Sequence, residues 1–160
     1  MTIQLTQKER MLLEDQKSHE EICIQKYNNY ANQTKDPELK QMFNNFAQQE
    51  QQHLDTINQL LAGQVPDMSQ QQNQQQDQQQ AQNFNQAGMQ NVGANSQEDA
   101  SLCNDMLMTE KYVSNTYDTA IFECMDSNIR QALNHIQKEE QQHGEGIFNY
   151  MNSKGMYNPQ

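Results

Sequence analysis

Glu50-Gln51-Gln52-His53 recurs ninety residues later as Glu140-Gln141-Gln142-His143, and this repeat decides how the rest of the chain is read. The same offset pairs Glu20 with Glu110, Tyr27 with Tyr117, Asp36 with Asp126 and Asn44 with Asn134, and each Glu-x-x-His follows its earlier glutamate by thirty residues. On a helix, side chains three apart leave one turn in the same direction. Each Glu-x-x-His therefore aims two metal-compatible groups at a single point.

The residues around both motifs carry a helical period. One seam runs Phe43, Phe46, Glu50, His53, Ile57, Leu60, and the other runs Leu133, Ile136, Glu140, His143, Ile147, Tyr150, both in steps of three and four. Such spacing marks the face of a helix turned to a core. Two further stripes each carry one glutamate: Leu13, Gln16, Glu20, Cys23, Tyr27, Tyr30, and Cys103, Met106, Glu110, Val113, Tyr117, Ala120, Cys124.

Local punctuation sets the boundaries. Thr6-Gln7-Lys8-Glu9 has the form of a capping box and predicts a helix from about Gln7 to Gln33. Asp36 with Pro37 starts a second, which Gly63 ends after about Ala62. A third is expected from near Ser96 to about Cys124, and a fourth, after Asp126 and Ser127, to about Asn152, with Gly155 beyond. The short connections at Asp36 and Asp126 permit only antiparallel neighbours. The expectation is an all-α, antiparallel four-helix bundle of two helical hairpins, 7–62 and 97–153, in a single domain covering 1–160. Between them, 63–96 is dominated by Gln and Asn and has no apolar period, which predicts a long disordered crossover. Such a tract serves as a tether, or it favours self-association.

Four carboxylates facing one dry interior repel one another, and each carries a desolvation cost of several kcal/mol. No Lys or Arg occupies the seam positions that could neutralise them. Two divalent ions with two neutral imidazoles balance the charge, so Glu20, Glu50, His53, Glu110, Glu140 and His143 are the candidate metal ligands. Mixed oxygen and imidazole donors suit iron or manganese and accept zinc. Tyr27 and Tyr117 are read first as core packing, with a hydrogen bond to a ligand or a redox relay as the other role. His19 and His135 lie off the seams and are expected at the surface.

The net charge of -11 argues against nucleic acid and anionic membranes as partners. Hydrophobic residues make up only 34% of the chain, so they must be concentrated in the helices for a core to form. Cys23, Cys103 and Cys124 form no C-x-x-C pair and are not a disulfide framework. Met1 to Arg10 lacks the apolar core of a secretory signal, and synthesis in a cytosol is expected. Dimerisation through an outer helix face is conceivable, although no second apolar stripe is visible in the sequence.

The ligand inventory resembles that of the ferritin-like superfamily, whose four-helix bundles hold di-iron or di-manganese centres. The resemblance covers residues 7–62 and 97–153. It implies that Glu20 and Glu110 are terminal carboxylates, Glu50 and Glu140 bridging ones, and His53 and His143 the imidazole on each ion. Tyr27, seven after the first ligand, is similar to the rubrerythrin pattern, but the four-cysteine rubredoxin-like module is missing. The amide-rich, Met-rich composition, the unpatterned crossover and the tail Gly155-Met156-Tyr157-Asn158-Pro159-Gln160 resemble the coat F family of endospore coat proteins. That likeness implies a structural role, with synthesis in the mother cell, deposition in the spore coat, and other coat proteins or further copies as partners. The superfamily likeness implies an alternative, a rubrerythrin-like or manganese-catalase-like oxidoreductase acting on oxygen or peroxide.

Overall fold

A computed structural model describes residues 2–67 and 96–157, and most of the expected 63–96 crossover lies outside them. Among the described residues there are four helices: α1 (Gln7–Gln33), α2 (Pro37–Leu61), α3 (Ser96–Glu123) and α4 (Ser127–Ser153). No strand occurs among them, and the all-α expectation is met. An isolated β-bridge joins Thr2 and Gln64.

The helix ends follow from the residues that stand there. Thr6 Oγ1 accepts the Glu9 N–H at 3.2 Å, and Glu9 Oε2 accepts the Thr6 N–H at 2.8 Å, which completes the capping box. The other Glu9 oxygen accepts the Met125 N–H at 2.8 Å, so this cap also ties the start of α1 to the α3–α4 turn. Asp36 and Asp126 cap α2 and α4 through the N–H groups of Glu38 and Asn128 at 2.9 and 2.7 Å. At the end of α2, Gly63 takes φ 77° and donates to the Leu60 carbonyl, while Gln64 donates to that of Gln59. Only this left-handed turn lets both N–H groups reach back over the final carbonyls.

The hairpins pack with α1 against α3 and α2 against α4. Lys26 meets Asp105 at 2.9 Å while Thr116 meets Gln16 at 3.1 Å, so α1 and α3 run antiparallel. The contacts of Glu50 with His143 and of His53 with Glu140 give α2 and α4 the same opposed sense. It follows that α2 and α3 run parallel. The end of α2 and the start of α3 therefore lie at opposite ends of a bundle about 40 Å long at 1.5 Å per residue.

Two apolar clusters fill the interior. Leu13, Cys23, Ile57, Leu60, Val113 and Leu133 belong to one, and Leu39, Phe43, Phe46, Met106, Ile147 and Met151 to the other. The polar seam residues lie at mid-height and divide the core. Outside, the large exposed apolar side chains Met11, Ile22, Met108, Tyr112 and Phe122 all belong to α1 and α3, with Met125 just after α3. Met11 and Ile22, eleven residues apart, stand on one face of α1, and Met108 and Tyr112, four apart, on one face of α3.

Candidate metal centre

Every helix contributes to the polar layer. Glu20 comes from α1, Glu50 and His53 from α2, Glu110 from α3, and Glu140 and His143 from α4; none is more than 2% exposed. Their ligand atoms form two groups, Glu20, Glu50, His53, Glu140 and Glu50, Glu110, Glu140, His143, with the atoms of each within 4.8 Å of one another. Glu50 and Glu140 are common to both. The structure therefore brings all six sequence-derived candidates together, in two groups that overlap at two carboxylates.

Both imidazoles point Nδ1 inward. His53 Nδ1 lies 3.0 Å from Glu50 and 3.2 Å from Glu140, and His143 Nδ1 lies 3.1 Å from Glu50 and 3.4 Å from Glu110. The outer nitrogens meet acceptors, His53 Nε2 at 2.6 Å from Glu139 and His143 Nε2 at 2.6 Å from the Gln49 amide oxygen. Neither acceptor can donate through the atom it presents, so in the neutral form both rings carry their proton on Nε2. The Nδ1 lone pairs are left for an ion, and the rings are held in orientation from outside.

Charge is crowded here. Burial, then the Glu50 charge, pushes Glu20 up to about 8, and burial with the charges of Glu110, Glu50 and Glu20 holds Glu140 well above the usual carboxylate range. Burial works against a charge on Glu50 as well, but hydrogen bonds from Glu20 and the two histidines outweigh it and hold that carboxyl well down. Burial also disfavours charged imidazoles, yet the surrounding carboxylates raise His53 well above its ordinary value and His143 to about 9. Protons on these groups are one way of neutralising the layer. A pair of divalent cations is the other, and it also gives partners to Glu20 Oε2, Glu110 Oε2 and Glu140 Oε2, which are buried and have no hydrogen-bond partner among the described residues. The donor set, its burial and those three oxygens fit such ions.

Several contacts were not legible in the sequence. Tyr27 donates to Glu110 and Tyr117 to Glu20, each from the facing helix, so the hydrogen bond to a candidate ligand, the role ranked second to core packing, is made by both. The surface expectation for His19 and His135 is corrected. Both are half-buried: His135 stands 3.4 Å from Glu139, extending the chain behind His53, and His19 sets its ring edge-on to Tyr112. Glu139 and Gln49 do not stand out among so many Gln and Glu residues. The signal for them was the ninety-residue register, since each occupies the position immediately before a shared glutamate. On the other flank the Phe46 ring stacks on His143 with centroids 4.4 Å apart, in the space left by the missing side chain of Gly146.

Residues 98–160 match the Coat F domain. The Coat F match spans nearly all of α3 and the whole of α4, and contains Glu110, Glu140 and His143. It leaves α1 and α2 outside, although the repeat gives them the same ligand pattern. No curated protein and no solved structure matches the chain. No described helix is long and apolar enough to cross a membrane.

Proposed function

We propose that this chain is a spore coat protein of the coat F type, built on a ferritin-like bundle spanning residues 1–160 whose core holds two divalent ions. Iron or manganese fits the donors best, and zinc is acceptable. The observation that carries the metal part is the pair of four-ligand groups sharing Glu50 and Glu140. One ion would be held by Glu20, Glu50, His53 and Glu140, the other by Glu50, Glu110, Glu140 and His143. Because the ligands come from both hairpins, the ions cross-link them and supply free energy to the folded state alone.

The coat part rests on the Coat F match over residues 98–160. Incorporation into an assembly, through other coat proteins or further copies of this chain, needs adhesive surface. The exposed apolar residues of α1 and α3 supply one. Synthesis in the mother cell and deposition in the coat follow from the same reading. In sporulating cells carrying an epitope-tagged chain, the coat extract should contain the protein with its metal. Recovery only from the soluble mother-cell fraction would remove the coat assignment.

A second reading, an oxidoreductase acting on oxygen or peroxide, is favoured by the two tyrosines on Glu20 and Glu110. Redox-active ions would supply the electron-transfer chemistry. The chain would contribute the tyrosine hydroxyls, which hold one oxygen of each terminal carboxylate, and the two apolar clusters, which exclude water from the layer. Peroxide consumption by iron- or manganese-loaded protein, lost in Glu50→Ala, supports this role, and equal rates in the variant reject it.

A further inference from the structure

The ninety-residue repeat is broken where it matters for access. On the α1/α2 face, Ile24 and Leu54 stand half-buried, one residue past Cys23 and His53. Their counterparts on the α3/α4 face are Ser114 and Gly144, so two large aliphatic side chains are replaced by a hydroxymethyl group and by none. There a groove of about 510 Å³ opens between α3 and α4, lined by Leu107, Ser114, Gln137 and Gly144 and ending on Glu110 and Glu140. These two glutamates carry buried Oε2 atoms that have no hydrogen-bond partner among the described residues. Lys111 and Asp118 stand opposite in sign among the lining residues, so space and not charge distinguishes this face.

We propose that divalent ions reach the centre through this α3/α4 groove, an inference that rests on the di-metal reading and adds its route of loading. The passage is closed at rest, because Glu110 and Glu140 are only 2% and 0% exposed. Gln137 forms the bar. From α4 its amide nitrogen donates to the Ser114 carbonyl at 2.9 Å and to Asp118 Oδ1 at 2.6 Å on α3, spanning the groove. Rotation of this half-buried side chain breaks two hydrogen bonds and requires no movement of a helix. Ligand exchange along the groove then passes an incoming ion from Asp118 to Glu110 or Glu140, where it gains the unpartnered oxygens.

The test uses the full-length protein, freed of metal by chelation, and cobalt(II) as the probe, whose visible absorption changes on coordination. Stopped-flow mixing gives a loading rate, and the final absorbance gives the stoichiometry. The double variant Ser114→Ile with Gly144→Leu restores the repeat residues and should load at least tenfold more slowly to the same endpoint. Gln137→Ala removes the bar and should load several-fold faster. Neither variant alters a candidate ligand. Should the double variant fail to fold, as judged by circular dichroism, Gln137→Ala decides alone, and a wild-type rate there overturns the route. A wild-type rate in a folded double variant overturns it equally. If the unmodified protein takes up no cobalt, the di-metal reading itself fails and the route falls with it.

Discussion

Stripping divalent ions from the folded protein is expected to lower its melting temperature by about 20 °C. Ligands from four helices meet only in the folded chain, so each ion stabilises that state by mass action, about 2.7 kcal/mol when free metal is a hundredfold above its dissociation constant. Two ions contribute about 5.4 kcal/mol together. Unfolding entropy of about 2.1 cal/mol/K per residue, over roughly 110 helical residues, converts this to a shift of about 23 °C. Protons offset part of the loss, because Glu20 is pushed up to about 8 and His143 to about 9. The comparison is therefore sharpest near about pH 9, where proton substitution is weakest. Thermal melts followed by circular dichroism, with and without exhaustive chelation and with metal restored, provide the assay. Equal melting temperatures in all three samples would refute the reasoning, since buried carboxylates that need no cation are not arranged for one.

Other consequences are open to measurement. Glu139→Gln weakens the orientation of His53 and should reduce affinity at that subsite by about 10- to 100-fold while leaving the His143 subsite intact; a single unchanged affinity in calorimetry would count against it. In metal-free protein the raised values of Glu20 and His143 mean that the folded chain keeps protons the unfolded chain has lost. Its stability should fall between about pH 5 and pH 9 while metal affinity rises, and a flat profile of melting temperature would contradict the assignment. Gly146→Ala places a Cβ 2.8 Å from the Phe46 ring and should cost about 1–3 kcal/mol despite better helix propensity. Gly144→Ala meets only Leu107 at 3.8 Å and should gain about 0.5–1 kcal/mol, so denaturant melts should move the two variants in opposite directions.

The helices were legible because their ends are written locally. Thr6 with Glu9, Asp36 with Pro37, Gly63 and Asp126 each act on backbone groups within a few residues, so no knowledge of packing was needed. The six candidate ligands stood out through their periodicity and through the repeat, which places a glutamate on each helix. Contacts between helices were harder to read. Tyr27 reaches Glu110, His53 reaches Glu139 and His143 reaches Gln49 only once α1 faces α3 and α2 faces α4, and no local pattern encodes that pairing. The sequence between the hairpins, 63–96, is long enough to join them in either sense, and the interhelical contacts show which one occurs.

The central claim is that two divalent ions sit among Glu20, Glu50, His53, Glu110, Glu140 and His143. Elemental analysis of gently purified protein, alongside a Glu50→Ala, Glu140→Ala variant lacking both shared ligands, tests it most directly. The account predicts two equivalents of iron, manganese or zinc per wild-type chain and close to none in the variant. A wild-type chain without metal that also takes none up on dialysis against these ions, or a variant that retains both, would contradict it.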